Sequence, residues 1–298
     1  MAHNHSHSDK YKNYNKSFVL GISLNVIYII IEVIYGIIVN SLALIADAGH
    51  NLSDVLGLLL AWGASYLVTK KPTRKYTYGF KKSTVLAAFL NALILLVAIG
   101  GIIWEAINRF GKPLSINGNI VIIVAGIGVL INGITAFLFF SGRKNDLNIR
   151  GAFLHMAADT GISFGVVLVG FVLTFTKYYW LDPAISILIG ILIFLSTWEL
   201  LKDSVNLALD AVPENIKTEE VENYFYQNTS IKDFHDLHIW AMSTTETALT
   251  VHVVVEGNYE RNKIINKISE DLHNKFGIVH TTIQIEDLQQ EKCTQNSI

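Results

Sequence analysis

The chain has 298 residues, 51% hydrophobic and 16% charged, with a formal net charge of −2 and a mean hydropathy of +0.39. Soluble domains carry nearer a quarter charged residues, so an ordinary soluble protein is excluded and a polytopic membrane protein is expected. The near-neutral charge gives no reason to expect a nucleic-acid partner, and the single Cys293 excludes an internal disulfide and a Cys-rich zinc site.

Residues 1–16 are polar, with His3, His5 and His7 alternating and no signal-peptide pattern. A short His tract of this kind can hold a metal weakly or be uninvolved. Six apolar segments follow, roughly Ser17–Val39, Leu42–Val68, Thr84–Ile107, Asn119–Phe140, Ile149–Phe175 and Leu181–Leu201, each close to the ~20 residues that span a bilayer. Lys10, Lys12 and Lys16 lie before the first segment. Lys70, Lys71, Arg74, Lys75, Lys81 and Lys82 lie between the second and third. Arg143, Lys144 and Arg150 lie between the fourth and fifth, and Lys202 follows the sixth. The opposite loops hold only Arg109, Lys112 and Lys177. The positive-inside rule puts both termini in the cytoplasm.

From about residue 203 the composition is that of a soluble domain. Thr218–Gln227 reads as a helix with an acidic start, Phe234–Met242 and Ala248–Glu256 as strands joined by a hairpin, Glu260–Phe276 as an amphipathic helix, and His280–Glu286 as a last strand. The expected organisation is a tail (1–16), a six-helix transmembrane domain (17–202) and a cytoplasmic α-β-β-α-β domain of ferredoxin-like type (203–298). A domain this small is marginal alone and gains from pairing with a second copy.

Ionisable residues at membrane depth are functional until shown otherwise. His50 and Asp54 stand four apart in the second segment, and His155 and Asp159 repeat the spacing in the fifth. Residues four apart share a helix face, ~5–6 Å from one another. The two segments run in opposite directions, which brings His50 level with Asp159 and Asp54 level with His155. The four groups can serve as interhelical hydrogen-bond pairs or as metal ligands, and two pairs at matched depth favour ligands. A His₂Asp₂ set suits tetrahedral Zn²⁺ over Mg²⁺ or Ca²⁺, with Co²⁺, Cd²⁺ and Mn²⁺ also compatible. Asp47, one turn before His50, is expected to support a ligand His or to line the approach to the site. Glu32 in the first segment is expected to pair with a cation, mark an access route or bridge helices. Asn25, Asn91 and Asn132 read as interhelical contacts.

The motifs Ser41–Asp54 (SLALIADAGHNLSD), Tyr78-Gly79, Leu147–Asp159 (LNIRGAFLHMAAD) and Asp182-Pro183 resemble those of the cation diffusion facilitators, in particular the zinc/cobalt/cadmium branch that includes bacterial resistance transporters. The resemblance runs from the first span to about residue 287. It implies a homodimer in the cell (inner or plasma) membrane that exports divalent cations, Zn²⁺ foremost, in exchange for protons. It also carries the transport ligands onto His50, Asp54, His155 and Asp159. Phe234–Ala241 (FHDLHIWA) and His280–Glu286 (HTTIQIE) are similar to the family's metal-binding, dimerising cytoplasmic domain, which points to His235, His252 and Glu286, with Gln284, His238 and His280 as weaker candidates. Strand alternation separately places His252, Gln284 and Glu286 on the polar face of the sheet; such a face is also ordinary for a half-exposed sheet. The chain departs from the family where Lys81, Lys82 and Thr84 replace the usual Arg-Arg-x-Glu, and Tyr76 and Phe80 stand where some members have a His-rich loop site. The other function classes are a metal-dependent intramembrane enzyme, which needs an open coordination position and a general base such as Asp47, and a non-transporting metal sensor.

Overall fold

The computed structural model describes Ser23 and residues 25–112, 114–140, 147–176, 178–256 and 260–287. The His3, His5 and His7 tail, the start of the first span and Cys293 lie outside the described residues. The chain divides into two compact units, Met1–Leu59 with Asn91–Glu199, and Leu60–Leu90 with Leu200–Ile298.

The described part of the first span is helix α1 (Asn25–Ile38). Helices α2 (Leu42–Val68), α3 (Ser83–Phe110), α4 (Gly118–Phe140), α5 (Leu147–Thr176) and α6 (Leu181–Ala208) are each long and apolar enough to cross a membrane. In the first unit they bury a core that includes Leu44, Ile99, Val121, Val166, Leu173 and Ile189. Residues such as Val97, Trp104, Phe137 and Phe175 point outward, where hydrocarbon rather than water makes exposure of apolar surface costless. The Tyr28 ring lies directly over Gly128, where any Cβ would collide with it, so α1 and α4 approach closely at that level.

The outer end of α2 is fixed by a residue from another helix. Asp182 on α6 is fully buried and accepts from Ser41 Oγ (2.6 Å), Leu42 N (2.7 Å) and Ala43 N (3.3 Å). Those amides belong to the first turn of α2 and have no intrahelical acceptor. The carboxylate therefore caps α2 from outside the helix, and its charge suits the positive end of the dipole. Arg109 at the end of α3 donates to the Asn40 carbonyl (2.7 Å) and so pins the preceding turn. Asp182→Ala leaves buried donors unmet and is expected to cost about 3 kcal/mol, read as a lowered thermal midpoint of the purified protein; an unchanged midpoint would contradict the capping role.

In the second unit, α7 (Thr218–Gln227) and α8 (Arg261–Phe276) pack on a sheet of strands β1 (Asp233–Ala241), β2 (Thr247–Val255) and β3 (Ile278–Asp287) in the order β1-β2-β3. The β1–β2 pair is antiparallel and β2–β3 is parallel, with α8 as the crossover. Leu249, Val251, Val253 and Val255 alternate into the core against Val221, Phe225, Ile264, Ile268 and Leu272. The α-β-β-α-β order expected from the sequence is the order found. Gly277 closes α8 with φ of 70° and its N–H on the carbonyls of His273 and Leu272, a left-handed C-terminal position that glycine fills without strain. Tyr224 Oη donates to Asp271 Oδ2 (2.9 Å) between α7 and α8; burial, and then this carboxylate, push the phenol above its ordinary pKa.

The basic segment between α2 and α3 belongs to this second unit. Lys81 pairs with Glu246, and Lys82 reaches Asp210 (2.7 Å) and the Leu207 carbonyl (2.7 Å). Thr84 Oγ1 accepts the Thr244 N–H (3.0 Å). The two lysines and the threonine that depart from the family's usual motif are thus engaged with the soluble domain.

Candidate metal centres

Each transmembrane candidate sits where helical geometry requires it. His50 and Asp54 face inward from α2, and His155 and Asp159 from α5. His50 Nε2 lies 3.1 Å from Asp159 Oδ1, and His155 Nε2 lies 3.2 Å from Asp54 Oδ2 and 3.8 Å from Asp159 Oδ2. Ligand atoms of His50, Asp54 and Asp159 fall within 4.8 Å of one another. The His50 and His155 rings are 6.1 Å apart and nearly perpendicular. All four residues therefore meet.

Their surroundings are graded. Asp159 and His50 are 1% and 15% exposed, while Asp54 and His155 are 32% and 46% exposed. The more open pair lies nearer the cytoplasmic end of both helices, given the orientation that the lysines and arginines set. Among the described residues Asp159 Oδ2 is buried without a hydrogen-bond donor, and His50 Nδ1 is buried without a partner. An unmet carboxylate oxygen between two imidazoles is an arrangement that a cation completes.

From the sequence, Asp47 is expected to support a ligand His or to line the approach to the site. No hydrogen bond joins it to His50. Asp47 instead accepts from Ser163 Oγ on α5 (2.8 Å). Its neighbour there is Glu32 of α1, fully buried, which accepts from Tyr28 Oη (2.8 Å) and takes a long contact from Asn51 Nδ2 (3.5 Å). Of the amides, Asn91 packs against Gly57, whereas Asn25 Oδ1 and both polar atoms of the Asn132 side chain have no hydrogen-bond partner among the described residues.

A second cluster forms on the polar face of the cytoplasmic sheet. His235 and His252 are directly opposite in the β1–β2 register, and Glu286 comes from β3. Their ligand atoms lie within 4.8 Å of one another. Glu286 Oε1 is 3.0 Å from His252 Nδ1, and Oε2 is 3.5 Å from His235 Nε2, which itself has no hydrogen-bond partner. Gln284 donates to the same Glu286 carboxylate (3.1 Å). His280 stands apart, edge-on to Tyr78.

One member of this cluster escapes strand-alternation reasoning. A bulge interrupts β1 between His235 and His238, and Asp236 there has φ of 53°. The bulge turns the Asp236 carboxylate to within 3.0 Å of His238 Nε2 and 3.8 Å of His252 Nε2. The signal was present in the sequence. Phe234 and Leu237 both pack against the core, and a spacing of three cannot be met by a strict two-residue period, so one residue must bulge out.

The sequence model of the cation efflux transmembrane domain matches residues 18–207, and that of the cation efflux protein cytoplasmic domain, a dimerisation domain, matches residues 213–288. The chain is 37% identical over 291 residues to a cadmium, cobalt and zinc/H⁺-K⁺ antiporter of Bacillus subtilis, covering 96% of this chain and 92% of that protein. It is 36% identical to the metal cation efflux system protein CzcD of Cupriavidus metallidurans (96% and 90% covered) and 33% identical to the zinc transporter ZitB of Escherichia coli (96% and 93% covered). A solved structure of the metal-bound C-terminal domain of the Cupriavidus CzcD transporter is 38% identical, covering 24% of this chain and 99% of that one, with a TM-score of 0.23. With both of its domains matched and relatives of this identity along nearly its full length, the chain belongs to the cation efflux family, the cation diffusion facilitators of zinc/cobalt/cadmium type.

Proposed function

We propose that the protein is a homodimeric inner-membrane exporter that moves Zn²⁺, and with it Co²⁺ and Cd²⁺, out of the cytoplasm in exchange for protons. His50, Asp54, His155 and Asp159 hold the metal in transit. The observation that carries this reading is the meeting of four N and O donors from two antiparallel helices around an unmet buried carboxylate oxygen. Two neutral imidazoles and two carboxylates neutralise a divalent ion, so the occupied site is neutral and can be occluded without a large desolvation penalty. Metal binding requires deprotonated ligands, so the ion arrives as protons leave, and protons arriving from the far side release it. Four protein donors leave no open position for a substrate, which separates this reading from a metal-dependent enzyme. The Bacillus relative named as a proton-coupled antiporter and the relatives named for zinc support the same ion pair.

The test is metal uptake into inside-out vesicles whose lumen is acidic. Zn²⁺ is expected to accumulate while the gradient lasts and to leak away once a protonophore dissipates it. Co²⁺ and Cd²⁺ should compete with Zn²⁺ more strongly than Mn²⁺, which holds imidazole nitrogen least well among these ions. Accumulation indifferent to the gradient would remove proton exchange from the reading. Absence of metal flux with intact metal binding would leave a sensor.

A further inference from the structure

Resting on the antiport reading above, we infer that Glu32 and Asp47 hold a proton between them and form the counter-ion site of the exchange, separate from the four metal ligands. Both carboxyls are fully buried, and Asn51, one turn along α2 from Asp47, reaches Glu32 Oε2 at 3.5 Å, so Glu32 stands against the same stretch of α2. Among the described residues neither has a lysine or arginine partner. Two carboxylates side by side in a low-dielectric interior cannot both stay ionised, and one proton resting on the pair relieves the repulsion. Their hydrogen bonds tell the same story. Ser163 Oγ serves Asp47 Oδ2, and Tyr28 Oη and Asn51 Nδ2 serve Glu32, but Asp47 Oδ1 is buried with no donor among the described residues. A proton on Glu32, or on Asp47 itself, supplies the missing one.

The placement gives this proton a role. Asp47 is one turn from His50 and Ser163 one turn from Asp159, both on the side away from the cytoplasmic ends of α2 and α5, so the pair lies just outward of the metal ligands. Neither acid hydrogen-bonds to any of the four. The ionisable groups facing the pair among the described residues are Tyr28 on α1, His50 on α2 and Asp159 on α5. Asp182 on α6 and Glu105 and Arg109 on α3 stand at the outer ends of their helices, and α4 contributes no charged residue. Apart from a protonated His50, the nearest positive charge that can appear is therefore the metal itself. A divalent ion arriving beside His50 favours ionisation of the pair, and the proton leaves; when the ion departs outward, the pair takes a proton back. The step moves one proton and breaks no other bond.

The test is the number of protons released per Zn²⁺ bound by the purified full-length protein, followed with a pH indicator, alongside zinc affinity. Glu32→Gln and Asp47→Asn keep the shapes of the side chains but cannot hold a shared exchangeable proton. Each is expected to release about one proton fewer than the parent while binding zinc within about fivefold of its affinity. The infrared difference spectrum on zinc binding should show loss of a protonated-carboxyl band in the parent and no such loss in Glu32→Gln. Variants that release as many protons as the parent would overturn the counter-ion site and leave the antiport reading intact. A collapse of zinc affinity by a hundredfold would also overturn it, because the pair would then be ligands. A parent protein that binds zinc with no proton release would instead fail the antiport reading itself.

Discussion

Asp159→Asn is expected to abolish zinc transport in reconstituted vesicles and to weaken zinc binding at the transmembrane centre by at least about a hundredfold. Asp159 is the hub of the site, since its two oxygens reach His50 at 3.1 Å and His155 at 3.8 Å. It is also the most buried of the four. Asparagine has nearly the same shape and can still hydrogen-bond to either imidazole. If the cluster only tied helices together, the variant would remain folded and working. If it holds a cation, the variant leaves a divalent ion facing a single carboxylate, and the occluded complex carries an uncompensated charge at membrane depth. Asp54→Asn tests the grading. Asp54 is more exposed and, among the described residues, forms an ion pair with His155 only, so its loss should weaken binding less than loss of Asp159. Uptake assays on monodisperse protein check both, and retained transport in Asp159→Asn would remove the four residues from the ion's path.

Transmembrane spans and their spacing are legible in a sequence because one local rule writes them: apolar runs of sufficient length, and ligands four apart on one face. Antiparallel direction follows from the distribution of lysine and arginine, and from that the partners His50–Asp159 and His155–Asp54. What local rules do not write is contact between distant helices. Nothing near Asp182 in the chain announces that it caps α2, because the donors it meets lie about 140 positions away. Glu32 and Asp47 likewise look like separate polar residues until α1 packs beside α2. Helix α6 outruns the apolar segment it contains. Apolar character fades near Leu201, yet the helix runs to Ala208, since leaving the membrane does not by itself stop a helix and residues 201–208 contain no Gly or Pro. The turn comes only at Asp210, with φ of 61°. Asp236 was hidden by a bulge whose only trace is an apolar spacing of three.

The cytoplasmic cluster yields the other large effect. Glu286→Gln, made in the Asp159→Asn protein so that the transmembrane centre is silent, is expected to eliminate the remaining tight zinc site and with it the zinc-dependent rise in thermal midpoint. Glu286 is buried and faces both imidazoles, one oxygen to each. Among the described residues it is the single anion that pairs with both His235 and His252, and His235 Nε2 has no hydrogen-bond partner. Three residues from three strands converge there, so a bound ion ties β1, β2 and β3 together and stabilises the folded domain by mass action. At a zinc concentration a hundred times the dissociation constant that is about 2.7 kcal/mol. Asp236→Ala should cost much less, because its carboxylate stands 3.8 Å from His252 and is held by His238. An ordinary polar sheet face makes the opposite forecast: Glu286→Gln would then change neither zinc content nor the midpoint. A double variant that still shows the zinc-dependent rise of the Asp159→Asn parent would place the metal off this cluster, and the pairing of His235, His252 and Glu286 would be a hydrogen-bond network alone.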